Sequence, residues 1–344
     1  MKYFLFPLIA IIAPNFASAQ DWITREACEV PSIEITNSTL TPTYLSERAA
    51  EFENGIGRLW RVTSQSGKTS HLWGTMHTTH PEVLDLPAKL VSLIETADTV
   101  ALEFDPTFKS RAAFEKATNS EGFWAQLDFP RPPEFMRDDV DSWVRARLDG
   151  IGYKDSIGFL SLGALATLLL GDPCDDFWGG LILAQDYEIL RMGIKAGAAH
   201  TGLEEEGFLM NDLNSYNRRA EVVAMIKVYG AYLDPVSYET PDGSGLGLYK
   251  KGHIAGLMGW DRDFILDFYG QEEGAKLEQL VNGYLVDERN RLFLPKTLEL
   301  LEKGNALIAV GSFHLPGDAG LVTLLREAGY TVDRVPVEGE IGFK

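Results

Sequence analysis

The chain has 344 residues, 45% of them apolar and 24% charged, which is enough to bury a large core as one domain or a domain with an insertion. Its formal net charge of −19 argues against a nucleic-acid partner, because phosphate binding needs clustered Lys and Arg. With only two cysteines and no Cys-x-x-Cys, a dithiol redox motif and a cysteine zinc site are both ruled out.

The first residues read as a leader. Lys2 supplies a positive start, Phe4–Ile12 an apolar core, and Ala17-Ser18-Ala19 a cleavage site, so residues 1–19 are expected to leave as a signal peptide. The apolar core is too short to span a bilayer, and no later run reaches the ~18 apolar residues that spanning needs. The expected product is periplasmic or secreted, with no membrane span after cleavage. Residues 20–55 then form an N-terminal arm and 56–344 the main domain. Cys28 and Cys174 are either two unrelated thiols or, in an oxidising compartment, a bridge pinning the arm to the body.

Gln20–Thr43 carries Pro31 and Pro42 and little periodicity; Glu47–Asn54 has room for a helical turn. Arg58–Ser64 alternates and predicts a strand, and Ser66-Gly67-Lys68 turns it into a second strand that contains His71. That strand runs into Gly74-Thr75-Met76-His77. His80 lies in the loop beyond, where Pro81 biases it away from helix. A helix over Pro87–Ala97, with Leu90, Leu93 and Ile94 on one face, leads to a strand ending at Glu103.

Residues 107–260 predict a largely helical insertion. Its segments are Phe108–Ala117, Asp138–Leu148, a buried Ile157–Leu170, an amphipathic Trp178–Met192 using Leu181 and Ile182, and Met210–Tyr232. Ala198–Leu203 reads as a short strand ending in Glu204-Glu205-Glu206. The glycine-rich Pro241–Gly259 fits neither a P-loop nor a dinucleotide fingerprint and reads as loop with close helix packing. Tyr284–Gly304 is helical, carries Arg289 and Arg291, and ends at a glycine.

Near the end of the chain the opening design returns. Ala306–Val310 runs into Gly311-Ser312-Phe313-His314, followed by a helix over Ala319–Ala328 and a strand at Tyr330-Thr331-Val332. Gly-x-x-His thus occurs twice, each time between a strand and a strand–helix–strand return. The fold class this predicts is α/β: a central mixed sheet built from N- and C-terminal strand–GxxH–helix–strand units around a large helical insertion. In open α/β sheets ligands gather outside the carboxyl ends of strands.

His77, Glu103, Glu204, Arg289 and His314 fall at such positions. Imidazoles with carboxylates suit a divalent metal such as Mn, Co or Zn, and an open metal position acidifies bound water. An arginine can steady a developing negative charge. Each residue also has a plain structural reading: Glu103 a salt-bridged strand end, Glu204 a solvated acid, Arg289 a surface ion pair. No Gly-x-Ser-x-Gly elbow or His-Glu-x-x-His is present.

Several blocks resemble the TraB/GumN family, which includes the Tiki-type metalloproteases. They are His71–His77, Val100-Ala101-Leu102-Glu103, Gly202-Leu203-Glu204, Glu288-Arg289-Asn290 and Ala309–Gly317, and the likeness covers about residues 56–336. The resemblance implies a metal-dependent hydrolase, a peptidase foremost, with a peptide or small-molecule substrate. It implies that His77, His314, Glu103 and Glu204 hold the metal and that His77, Glu103, His314 and Arg289 serve catalysis. Tiki-type members are membrane-tethered, whereas this chain reads as freely exported. The rivals are a non-catalytic periplasmic binder of haem, peptide or another small ligand, and a scaffold for polysaccharide export.

Overall fold

The computed structural model describes residues 22–33, 40–104, 136–153, 158–179, 181–205, 207–239 and 243–343. The expected leader and the Phe108–Ala117 stretch lie outside them. Strands β1 (Leu59–Thr63), β2 (Thr69–Thr75), β3 (Thr99–Phe104), β4 (Ala199–Glu204), β5 (Ala306–Gly311) and β6 (Thr331–Arg334) form one sheet in the order β4-β3-β5-β2-β1-β6. β4, β3, β5 and β2 are parallel neighbours, and β1 is antiparallel to both β2 and β6. The sheet is therefore mixed and assembled from both ends of the chain, because β5 inserts between β2 and β3.

The residues of β5 explain its central place. Ala306-Leu307-Ile308-Ala309-Val310 is buried throughout, as a parallel strand covered on both faces requires. Successive side chains point to opposite faces. Leu307 and Ala309 join Trp73, Val100 and Leu102 under Leu90 and Ile94 of helix Ala88–Thr96 and under Ile189 and Leu190 of helix Gln185–Ala196. Ile308 and Val310 join Leu72 and Ala101 under Phe293, Leu300 and Leu301 of helix Arg289–Lys303 and Leu321 and Leu325 of helix Leu321–Glu327. A separate helical core unites Asp138–Gly150, Leu162–Leu169, Arg219–Ala231, Ile254–Tyr269 and Gln271–Asn282.

Several expectations are corrected. The helix expected from Trp178 begins only at Gln185, because Gly179 is left-handed (φ 56°) and ends the short 3-10 helix Pro173–Trp178. Leu181 is accordingly 91% exposed rather than on a buried face. Met210–Tyr232 is not one helix: Phe208–Leu213 stops at Asn214 and Arg219–Ala231 follows a 3-10 turn. The helix in the arm starts earlier than Glu47, at Pro42, where the Thr41 side chain caps it. Most of the glycine-rich stretch is helical, in Ser244–Lys250 and the start of Ile254–Tyr269. A Cβ on Gly259 would stand 2.3 Å from Arg48 Cδ, so glycine there serves close packing.

Cys28 and Cys174 form a disulfide, with Cα atoms 5.5 Å apart. It ties the N-terminal segment to the 3-10 helix Pro173–Trp178. Among the described residues, no helix is long and apolar enough to cross a membrane.

Candidate active site at the carboxyl ends of the central strands

β2 and β5 run side by side with Thr75 opposite Gly311, so both Gly-x-x-His turns leave the sheet at the same end. The two glycines make room for each other's motif. A Cβ on Gly74 would meet Leu315 Cδ1 at 2.9 Å and Ser312 Cα at 3.0 Å. A Cβ on Gly311 would meet His77 Nε2 at 3.0 Å and Glu103 Oε1 at 3.2 Å, with His314 Cδ2 at 3.6 Å. The repeat in the sequence is thus a reciprocal packing requirement, and the missing Cβ of Gly311 lets both imidazoles and a carboxylate close in on the backbone there.

All five residues expected at a site converge here. His77 Nε2 stands 3.5 Å and His314 Nε2 3.4 Å from Glu103 Oε1. That oxygen also accepts the Gly311 backbone N–H at 2.8 Å. Arg289 donates from Nη2 to Glu103 Oε2 at 2.8 Å and to Glu204 Oε1 at 2.7 Å, and from Nε to Glu204 Oε2 at 3.2 Å. β3 and β4 bring the two glutamates together at adjacent strand ends, and a π-helical turn over Gly283–Glu288 delivers Arg289 at the start of its helix.

His71 and His80 stay outside. His71 is a β2 side chain opposite Arg61. His80 caps the short helix Pro81–Leu84, its Nδ1 accepting from Glu82 N at 3.2 Å while Nε2 bonds Val30 O at 3.0 Å.

Two further partners stand behind the rings, neither of them among the five residues expected at the site. Asp186 Oδ2 bonds His77 Nδ1 at 2.8 Å, and its Oδ1 accepts from Thr75 Oγ1 at 2.6 Å. Asn290 Oδ1 bonds His314 Nδ1 at 2.8 Å. Asp186 opens a helix, where an acid reads simply as a favourable dipole charge. Asn290 did carry a signal: an asparagine inside a long helical pattern is unfavourable unless its side chain is used.

The electrostatics separate the two rings. The Asp186 carboxylate, with Glu103 adding to it, raises His77 well above the ordinary imidazole value against the opposing effect of burial, although 58% of its side chain is exposed. His314 is lowered to about 4, chiefly by burial. Burial pushes Glu103 up, but the Arg289 guanidinium and the two imidazoles outweigh it and hold the carboxyl well below its usual range. Glu204 is raised, because burial and the neighbouring Glu103 prevail over Arg289.

Can these residues hold a divalent cation? Among the described residues, no group of three or more His, Cys, Asp or Glu side chains stands in an arrangement that holds a metal ion as it is. The donor chemistry nevertheless suits an open site. Donors on a tetrahedral ion at ~2.0–2.1 Å stand about 3.4 Å apart, close to the two nitrogen–oxygen separations here and long for hydrogen bonds. Arg289 bonds Glu103 and Glu204 while Asp186 bonds His77, so with neutral rings three carboxylates stand in the cluster with one guanidinium, leaving a negative surplus.

No curated protein and no solved structure matches the chain. The model of the TraB/PrgY/gumN family matches residues 58–334, a span that takes in both Gly-x-x-His turns, Glu103, Asp186, Glu204 and the Arg289-Asn290 pair. On that match the chain belongs to the TraB/PrgY/gumN family.

Proposed function

We propose that this protein is an exported metal-dependent hydrolase, most readily a peptidase, with its reactive centre in the space above Gly311. The observation that carries the reading is the approach of two imidazole Nε2 atoms to one carboxylate oxygen, 3.5 and 3.4 Å away. All three groups crowd against Gly311, where a Cβ would stand 3.0 Å from His77 Nε2 and 3.2 Å from Glu103 Oε1. His77 Nε2, His314 Nε2 and Glu103 Oε1 would hold a divalent ion such as Mn, Co or Zn. When bound, such an ion supplies a Lewis acid and lowers the pKa of a coordinated water.

The chain's own residues prepare that centre. Arg289 keeps Glu103 anionic and clamps Glu204 beside it, so its geometry favours holding the carboxylates over gripping a substrate. The Gly311 N–H fixes the orientation of Glu103 Oε1. His77, the exposed ring, is the side from which substrate reaches the centre; His314 is 6% exposed and forms its floor.

The test is cleavage of a mixed peptide library by purified, disulfide-intact protein with Mn²⁺, Co²⁺ or Zn²⁺, with and without chelator. Metal uptake and chelator-sensitive cleavage, both abolished in His77→Ala and Glu103→Gln, are expected. Absence of metal uptake together with cleavage unchanged in His77→Ala defeats the reading.

A further inference from the structure

The two imidazoles face the same oxygen, yet different groups hold them from behind. Asn290 is fully buried in helix Arg289–Lys303, and its Nδ2 donates to His314 O at 3.1 Å and to Ala319 O at 2.9 Å. With the amide nitrogen committed to two carbonyls, Oδ1 is left as the acceptor toward His314 Nδ1. His314 Nδ1 therefore carries the proton, and Nε2 presents its lone pair to Glu103.

His77 reaches the same state by another route. Asp186 Oδ1 is occupied by the Thr75 hydroxyl, so Oδ2 is the oxygen that accepts from His77 Nδ1. Thr75 is the last residue of β2, two before His77, so the strand end sets the carboxylate and the carboxylate sets the ring. Asp186 itself is held at the first turn of its helix, where neighbouring Gln185 Oε1 accepts the Met76 N–H at 3.2 Å and Gln185 Nε2 donates to Val83 O at 2.7 Å. Both orienters are buried, Asp186 being 8% exposed and Asn290 0%.

We propose that Asp186 and Asn290 are the positioning residues of this centre, holding His77 and His314 in the Nδ1–H tautomer so that both Nε2 lone pairs converge beside Glu103 Oε1. The proposal deepens the metal-dependent reading above. The ring nitrogen free to bind a cation is set by the hydrogen bond the other nitrogen makes. The two orienters also differ in kind. A charged carboxylate stands behind the exposed ring and a neutral amide behind the buried one.

The experiment is long-range ¹H–¹⁵N correlation spectroscopy of histidine-labelled protein, disulfide intact, under alkaline conditions where the rings are neutral. It is paired with a Zn²⁺ titration by calorimetry. His253 is an internal reference, since its Nδ1 accepts the Gly256 N–H at 2.9 Å and its ring must be in the Nε2–H form. The wild type is expected to show His77 and His314 in the opposite, Nδ1–H form. Asn290→Ala should shift His314, and Asp186→Ala should shift His77, toward a mixture of tautomers. Asp186→Asn should retain the wild-type tautomer, because its amide oxygen still accepts from the ring.

Zn²⁺ affinity should fall about 10–100-fold in the alanine variants, the usual effect of losing an outer-shell partner, and by less in Asp186→Asn. If Asn290→Ala fails to fold, the Asp186 pair together with Thr75→Val decides the matter. Unchanged tautomers in the folded alanine variants overturn the proposal. Tautomers that shift as expected in a protein that takes up no Zn²⁺ sustain the positioning role and remove the hydrolase reading instead.

Discussion

Arg289→Met is the most informative single perturbation of stability. The guanidinium is 7% exposed and joins two carboxylates that are each 8% exposed. Its three hydrogen bonds to them are charge-assisted, at ~1.5–3 kcal/mol each, a gross of roughly 5–9 kcal/mol. Part of that is recovered because a buried guanidinium no longer has to be desolvated. Breaking a buried pair by removing one partner costs about 3–5 kcal/mol net, and that is the expected loss at neutral pH.

The assay is urea unfolding of wild type and variant, with unchanged slope and a lower midpoint. The loss should shrink as pH falls, because Glu103 and Glu204 can then be protonated and need no counter-charge. Replacing Glu204 by Gln in the Arg289→Met background should restore part of it. A loss below about 1 kcal/mol, within the range of solvated surface pairs, would refute a desolvated cluster with Arg289 as its counter-charge.

Gly311→Ala should abolish metal uptake and cleavage while lowering stability only by the ~1–3 kcal/mol of local overpacking, read by calorimetry and thermal melting; wild-type uptake in a folded variant would show that the space above Gly311 is not the site. In the metal-free protein the two rings of the centre give stability slopes of opposite sign with pH. His314, held near 4 when folded, binds protons less readily than in the unfolded chain, so stability falls by up to about 3 kcal/mol as pH drops from ~6.5 toward 4. His77, raised when folded, gives the opposite slope: its contribution is present below ~6.5 and is lost as pH rises through its folded pKa. Urea midpoints across pH test both limbs; His71, also lowered to about 4 by burial, shares the acid limb, so His314→Gln should make that limb shallower without removing it. Reducing Cys28–Cys174, whose sulfurs close a separation of 146 residues, should cost on the order of 4–5 kcal/mol in the chain-entropy model. Hydrogen exchange should then quicken at Thr79 and Glu82, whose loop is held between Asp175 on one side and Val30 and Ser32 on the other. Exchange unchanged in that loop would show that the bridge does not hold it.

Much of the fold was written in local pattern. Unbroken apolar runs marked the central parallel strands, alternation marked β1, and the repeated Gly-x-x-His blocks marked where the chain leaves the sheet. The failures have a common cause. Leu181 and Ile182 keep a helical apolar spacing but lie before the helix, because Gly179 takes a left-handed turn that spacing does not reveal. Met210–Tyr232 is continuous in composition, yet the helix stops at Asn214, whose side chain accepts from Gly163 N on a distant helix. Asp186 was invisible as a functional residue because its partner, His77, is 109 residues away.

By itself the sequence determined the α/β class and the strands that run into the two turns, and it singled out five polar residues at strand or helix ends that the fold brings together. Those features depend on short-range periodicity and on residue types whose chemistry is independent of context. Only the tertiary structure decided that β5 enters between β2 and β3, which places both imidazoles on one glutamate oxygen and turns Arg289 inward onto two carboxylates. It alone decided which nitrogen of each ring is free, since that depends on Asp186 and Asn290, groups brought into contact by packing and not by proximity along the chain.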